Sequence, residues 1–153
     1  MNIMEVAIDQ GKAKDQGVQV FYDKEKTCGA VLKQMHSAAY RAALAKHAAR
    51  FKKETDLYKK DAVKLEKVTR LITAHAITDT VIVSIFGFDI PVPGGEGKFS
   101  PLESNKGNIL RLMSMPEFDS IYSWVCTCAN DLDTFIVTDQ GAWEEIGKKL
   151  QET

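Results

Sequence analysis

Cysteine and histidine are the first candidates for chemistry, because their side chains bind metals and act as nucleophiles or bases. The chain has three of each: Cys28, Cys126, Cys128, His36, His47 and His75. Cys126 and Cys128 are two residues apart, which on a helix turns their side chains about 200° from each other. They cannot chelate one ion together, and a zinc site would need two further ligands at suitable spacing. We therefore expect no metal site and no cofactor, only packing thiols.

A glycine-rich segment, Gly94–Phe99, superficially resembles a phosphate-binding loop. The first glycine of that motif would fall on Val92, and Phe99 replaces the hydroxyl residue that holds magnesium. The segment is therefore interpreted as a flexible turn and not as a nucleotide site.

The acidic residues do not form a catalytic pair. Asp131 and Asp133 are two positions apart on a predicted helix, so their carboxylates point away from each other. Glu144 and Glu145 stand near a predicted helix start, where negative charge complements the helix dipole. Because nothing pairs a nucleophile with a base, the sequence predicts a protein that is not an enzyme.

Length and overall charge limit the remaining classes of protein. The chain has 153 residues, 20 Lys and Arg, 21 Asp and Glu, and a net charge of -1. That length predicts one domain, and that charge excludes a strongly cationic nucleic-acid binder. The start of the chain lacks the basic and apolar regions of a signal peptide, and Val81–Phe88 is far shorter than the ~20 residues that span a bilayer. We expect a cytosolic protein.

Charge is unevenly distributed along the chain. Lys46–Arg70 has nine Lys or Arg against four Asp or Glu, and Met113–Thr153 has two against eight. Three interpretations stay open: two solvated helix faces, self-association of the basic helix of one copy with the acidic end of another, or nucleic-acid binding by the basic helix 46–70.

The N-terminal part is predicted to contain the only strands. Residues 1–16 are mixed and polar, typical of a loose arm. Alternating Val18, Val20 and Tyr22, a polar turn and a second apolar segment predict a β-hairpin over 17–34. An irregular arm is the alternative, because a lone hairpin is marginally stable.

A helical region of about 38–86 follows, beginning at the N-cap candidate Ser37. One unbroken helix would be about 75 Å long, against a radius of gyration of about 15 Å for such a domain. We predict a break near Glu54–Asp56, giving helices of roughly 38–54 and 56–86. Thr78–Phe88 is β-branched enough for a strand, but the helical phase leading into it favours helix until Gly87.

The C-terminal half is predicted as a loop and further helices over about 101–150. Prolines and glycines predict the loop at 88–98, a candidate lid or connector. Ser100 to Glu103 forms a capping box for a helix ending near Met113, and Pro116 begins the next. A last helix follows Asp139. The second helix has an apolar stripe, Phe118, Ile121, Val125, Leu132 and Phe135, predicted to pack on Phe51, Tyr58, Leu65 and Ile72.

These elements predict a fold of the mainly α class: one mostly helical domain over 17–153, a helical bundle with a small N-terminal β-hairpin. There are no internal repeats. Whether the region 38–86 is continuous or broken is not fixed by the sequence.

Three stretches in order resemble the tail assembly chaperones of long-tailed bacteriophages. The first is Val20–Leu32 running into Ser37-x-x-Tyr40-Arg41, similar to the family's hairpin and its entry into a basic, Ala-rich helix. The second is Ile85–Phe88 before the Gly/Pro loop. The third runs from Phe99-Ser100 through Asn105 and Pro116 into the amphipathic helix. The resemblance covers about residues 17–136.

The resemblance implies a non-enzymatic chaperone that binds and solubilises the tape measure protein, a very long helical and hydrophobic chain, during tail morphogenesis. It places the protein in the host cytoplasm, absent from the mature virion, and in contact with the tail tube protein through a frameshifted longer form. A homo-oligomer is predicted from the two oppositely charged segments and from more amphipathic helices than one small core can bury. Membrane partners are not expected. The candidates for partner binding or self-association are Tyr40, Arg41, Leu44, Phe51, Phe88, Phe99, Tyr122, Trp124 and Trp143.

Two rival functions remain from the sequence. One is a structural phage or bacterial protein that is retained in the finished particle. The other is a small regulatory protein that binds nucleic acid through the basic helix 46–70, which a steep salt dependence would reveal.

Overall fold

The structure, a computed structural model, describes residues 16–91 and 94–131. It combines helices with a small antiparallel sheet, so the fold is mixed α and β and not the mainly helical bundle that was predicted. The strands are β1 (Val18–Phe21), β2 (Gly29–Leu32), β3 (Ile82–Phe86), β4 (Asp89–Pro91) and β5 (Phe99–Pro101). The helices are α1 (Ala38–Arg50), α2 (Lys52–Leu57), α3 (Ala62–Thr80), α4 (Lys106–Ser114) and α5 (Asp119–Asn130).

The predicted hairpin is confirmed and forms part of a larger sheet. β1 and β2 pair antiparallel, with Val18 opposite Leu32 and Phe21 opposite Gly29. β2 lies in the centre, because its other edge pairs antiparallel with β3. A lone hairpin would be marginally stable, and the third strand and the packed helices supply the contacts that stabilise this one.

The prediction that the helix continues to residue 86 is wrong. α3 ends at Thr80, and the next segment is β3. The β-branched residues of this segment suit a pleated strand, and its backbone groups pair with those of β2. The bond from the Lys33 amide to the Val81 carbonyl, 2.7 Å, fixes the chain where it leaves the helix. Long-range pairing thus overrides the local helical phase.

The helical region is broken, as predicted, but not at the predicted residues. Phe51 departs from helical geometry between α1 and α2, with φ -99° and ψ 17°. The main interruption is the turn over 58–61, where the Asp61 amide bonds to the Tyr58 carbonyl. Asp61 then caps α3, since its side chain accepts from the Lys64 amide. The expected breakpoint at Thr55 is helical, and its hydroxyl donates to the Phe51 carbonyl.

The loop and the capping box also differ from prediction. Within the predicted loop 88–98, β4 pairs antiparallel with β5, so Ser100 is a strand residue and not an N-cap. The Leu102 amide donates to the Phe88 carbonyl at 2.7 Å, which holds this segment extended. α4 begins only at Lys106, because the side chain of Asn105 accepts from the Asn108 amide and caps the helix there.

The predicted helix after Pro116 is confirmed as a short 3₁₀ turn, Pro116–Phe118, followed by α5. α5 packs mainly on α4 and β2, and α3 packs mainly on α1 and α4, so the main packing of the apolar stripe differs from prediction. α3 meets α5 through Arg70, which contacts Tyr122 and Asp119. Leu132 and Phe135 lie outside the described residues. The buried core joins the sheet to the helices through Ala30, Leu32, Met35, Tyr40, Ala43, Ala74, Ala76, Ile77, Val81, Ile82, Ile85, Ile109, Leu112, Met113, Val125 and Ala129.

Some predictions fall beyond the described part of the chain. The N-terminal arm, apart from residue 16, and the last helix, which was placed between 139 and 150, lie outside it. Among the helices that are described, none combines the length and apolar character needed to cross a bilayer.

Candidate partner-binding surface

Five aromatic rings lie at one end of the three-stranded sheet in two groups, Phe21 with Phe86 and Tyr22 with Phe88 and Trp124. We call the second group the aromatic patch: Tyr22, Phe88 and Trp124. The Tyr22 ring lies at the centre, with its centroid 5.3 Å from that of Trp124 and 6.0 Å from that of Phe88. Phe21 and Phe86 form an edge-to-face pair at 5.8 Å. Tyr22 is 42% exposed and Phe21 36% exposed, so each group reaches the surface, while Phe88 and Trp124 also pack against the core.

The glycine between the two phenylalanines makes their contact possible. Phe21 ends β1 and Phe86 ends β3, and both are opposite Gly29 of the central strand. A Cβ atom at Gly29 would lie 2.1 Å from the Val20 carbonyl oxygen and 2.9 Å from the Phe86 ring. Glycine therefore leaves room for the two rings to meet across the middle strand.

The turn that follows Tyr22 is held by one carboxylate. Asp23 accepts hydrogen bonds from the amides of Thr27 and Cys28, at 2.9 and 3.0 Å, and from the Thr27 hydroxyl. These bonds, the hydroxyl first, lower the pKa of Asp23 to about 2. The carboxylate is thus ionised at neutral pH, and it keeps the turn closed beside the bond from the Tyr22 amide to the Cys28 carbonyl, 2.9 Å.

The chemistry of the aromatic patch is that of a contact surface. Aromatic residues are enriched in the centres of interfaces, because they bury large apolar area and lose little rotamer freedom. The hydroxyl of Tyr22 is within 3.5 Å of the Ser120 hydroxyl, and Lys26 stands 5.7 Å from the Phe21 ring centroid. Apolar rings with a polar, partly cationic rim are typical of a protein-binding site.

A second feature is a groove of about 620 Å³ between α3 and the α4–α5 connection. We call it the α3–α4 groove, and its lining is Val63, Glu66, Lys67, Arg70, Leu71, Ser114, Pro116 and Asp119. Arg70 is fixed at its wall: its Nε donates to the Met113 carbonyl at 2.6 Å, and its Nη1 pairs with Asp119 at 3.0 Å. The guanidinium also lies 3.3 Å from the ring centroid of Tyr122. Burial is the main cause that raises the pKa of Tyr122 to about 12.

Two histidines lie together between α1 and α3. The buried His47 bonds through Nε2 to the Asp79 carboxylate at 2.7 Å, and its ring stacks on His75 at 4.8 Å. Its Nδ1 is buried with no hydrogen-bond partner among the described residues. Within 16–91 and 94–131, no three His, Cys, Asp or Glu side chains are placed to hold a metal ion. The stacked rings of His47 and His75 join α1 to α3.

The three cysteines are free thiols. Burial is the main cause that raises the pKa of Cys28, Cys126 and Cys128. A raised pKa keeps the thiol protonated at neutral pH, which lowers its nucleophilicity and its affinity for metals.

Among the described members of the predicted partner-binding set, Phe88 and Trp124 share a neighbour, Tyr22. Tyr122 lies elsewhere, against Arg70, and Phe99 is exposed on β5. Trp143 is outside the described residues.

The four remaining candidates lie on or next to α1. Tyr40 is buried in the core, which corrects its placement on a binding surface. Leu44 packs against the core, and Phe51 lies 5.7 Å from the His75 ring. Arg41 donates to the His36 carbonyl at 2.9 Å.

Sequence reasoning missed Phe21, Tyr22 and Phe86 as surface residues. The alternation in β1 was visible, and it placed Tyr22 near the hairpin turn. What was missing was β3, because only the pairing of β2 with β3 sets Phe86 beside Phe21.

Comparison with known proteins assigns no family. No protein-family model, no curated protein and no solved structure matches this chain.

Proposed function

We propose that this chain is a non-enzymatic tail assembly chaperone of a long-tailed bacteriophage. It binds the tape measure protein in the host cytoplasm, keeps it soluble while the tail tube assembles, and is absent from the mature virion. The observation that carries the proposal is the aromatic patch, in which the partly exposed ring of Tyr22 lies against the rings of Phe88 and Trp124.

The aromatic patch suits an apolar helical client. A helix with an apolar stripe docks by placing side chains at i, i+3 and i+4 against an apolar surface. Because Tyr22 is fixed by Trp124, Phe88 and the Asp23 turn, little side-chain entropy is lost when a client binds. A contact surface built from a few rings is small, and small interfaces are typical of transient complexes, which suits the release that a chaperone requires.

Co-expression tests the proposal. A tape measure fragment from the same phage is expressed alone and together with this chain, and its soluble fraction is measured. We expect the fragment to be insoluble alone and soluble with the chain, because the patch covers its apolar stripe. A fragment that stays insoluble in both cases would overturn the proposal.

The composition of finished particles separates the chaperone from a structural protein. Mass spectrometry of purified virions should find none of this chain, whereas a retained chain would favour the structural alternative. The tail tube protein is proposed to associate through a frameshifted longer form. An overlapping reading frame followed by a very long helical coding sequence would support that arrangement.

The salt dependence of nucleic-acid binding tests the regulatory alternative. The lysines of 46–70 are interleaved with Glu54, Asp56, Asp61 and Glu66, which weakens attraction to phosphates. We expect no binding of duplex DNA or RNA at about 0.15 M salt. Tight binding that falls steeply between about 0.05 and 0.2 M salt would favour the regulatory alternative.

A further inference from the structure

The lining of the α3–α4 groove combines apolar side chains with both signs of charge. Val63, Leu71 and Pro116 contribute aliphatic surface, and Val63 is 64% exposed. Glu66 and Lys67 are neighbours on α3, and within the described residues neither has an ion-pair partner. The groove therefore presents an unpaired carboxylate and an unpaired ammonium group beside apolar area that water still reaches.

Such a surface is complementary to itself. In a two-fold dimer the same patch is buried on both subunits, so residue i of one copy meets residue j of the other and the reverse. A patch with only one sign of charge would repel its own copy. Adjacent Glu66 and Lys67 instead allow the acid of each copy to face the base of the other when two α3 helices cross antiparallel over the groove.

From this complementarity we propose that the α3–α4 groove is the interface of a two-fold homodimer. The occupant of the groove is the α3 helix of a second copy, with Val63 and Leu71 packed at the centre and reciprocal Glu66–Lys67 pairs beside them. Arg70 is already held by Asp119 and the Met113 carbonyl, so it shapes the wall and does not cross the interface.

The dimer leaves the aromatic patch open. At about 100° per residue, Tyr122 and Trp124 point about 160° apart on α5. Tyr122 and Asp119 belong to the groove side, while Trp124 and Ser120 belong to the patch side. A dimer through the groove therefore displays two patches, and a long client that engages both gains affinity through effective concentration. The dimer itself does not depend on the identity of the client.

Sedimentation equilibrium of the purified full chain tests the interface. We expect the wild type to form dimers that weaken but persist between about 0.05 and 0.5 M salt, since salt screens the ion pairs and spares the apolar contact. Val63→Asp should raise the dimer dissociation constant at least about tenfold. An acidic residue in the first turn suits α3, so the variant should stay folded.

The matched control is Val83→Asp, a valine 49% exposed on β3 and away from the groove lining. It should leave the dissociation constant of the dimer unchanged, with circular dichroism confirming the fold. Equal constants for Val63→Asp and the wild type, or a wild type that is monomeric at all concentrations, would overturn the proposal.

A charge swap gives an independent check. Lys67→Glu places like charges across the two-fold axis and should weaken the dimer, and Glu66→Lys combined with Lys67→Glu should restore it. A double variant as weak as the single one would contradict the reciprocal pairing. Client co-expression is measured on the same variants, so loss of the dimer with retained solubilisation separates this proposal from the proposed function.

Discussion

His75 couples the stability of the fold to mild acid. Its ring lies near those of His47 and Phe51, with centroids 4.8 and 5.7 Å away. Burial first, and then His47 and Arg50, lower the pKa of His75, while Asp79 opposes them. The folded state therefore favours the neutral imidazole, and the unfolded state binds a proton there more readily.

The first prediction concerns pH. The free energy of unfolding should fall as pH falls through 6.5, and the loss should level off below the lowered pKa of folded His75. His75→Phe keeps a ring in the stack and removes the titration, so its loss between pH 7.5 and 5.5 should be smaller. Urea unfolding at both pH values measures this.

The control for that series is His36→Asn. His36 is exposed and has a φ of 65°, which asparagine tolerates. This variant should retain the wild-type dependence on pH. Asp23, with its pKa of about 2, does not contribute in this range, because its stabilisation is lost only below about pH 4. If His75→Phe loses as much stability as the wild type, another group controls the acid response.

The second prediction compares two glycines with the same backbone conformation. Gly87 and Gly94 have φ of 75° and 76°, but a Cβ at Gly87 would lie 2.0 Å from the Thr27 carbonyl oxygen, whereas one at Gly94 meets nothing within 4 Å. Gly87→Ala should therefore destabilise by about 1–3 kcal/mol more than Gly94→Ala. Equal unfolding midpoints in urea for the two variants would show that Gly87, just after β3, does not lie against Thr27 of the hairpin turn.

Among the elements, the helix α4 contributes buried side chains to the core, so a substitution in it tests how the core is packed. Leu112 is buried between the sheet and the helices, and Leu57 at the end of α2 is 74% exposed. The third prediction is that Leu112→Ala lowers the free energy of unfolding by about 2–5 kcal/mol. Leu57→Ala should change it by less than about 0.5 kcal/mol. Thermal or urea unfolding measures both, and similar values would mean that α4 is not packed as described.

Elements with strong local signals could be predicted from the sequence. The hairpin followed from alternation around a polar turn, and α5 followed from Pro116 and regular apolar spacing. β3 could not be predicted, because its segment continues a helical phase and only pairing with β2 selects the strand. The predicted capping box is wrong for a similar reason. The Ser104 hydroxyl accepts from the Ile85 amide at 3.0 Å, which ties the residues before α4 to β3.

For the whole molecule, the two surfaces lie on opposite flanks of α5. The aromatic patch unites residues more than 100 positions apart, Tyr22 and Trp124, and no sequence spacing connects them. Sequence reasoning could find single aromatic residues, such as Phe88 and Trp124, but not the surface that they share. The sequence shows that α3 is basic. It does not show that Asp119, at the start of α5, lies beside Arg70 in the α3–α4 groove.

The affinity of a tape measure peptide for two tyrosine variants decides whether the aromatic patch binds the client. Tyr22 is central to the aromatic patch, and Tyr58 is a partly buried tyrosine in the turn before α3, beneath Lys64. The peptide comes from the fragment that the chain solubilises, and fluorescence anisotropy gives its dissociation constant. Tyr22→Ala should bind at least about tenfold more weakly than the wild type, as expected for an aromatic interface centre. Tyr58→Ala should bind like the wild type, and a Tyr22→Ala variant that does the same would contradict the assignment of the aromatic patch as the client-binding surface.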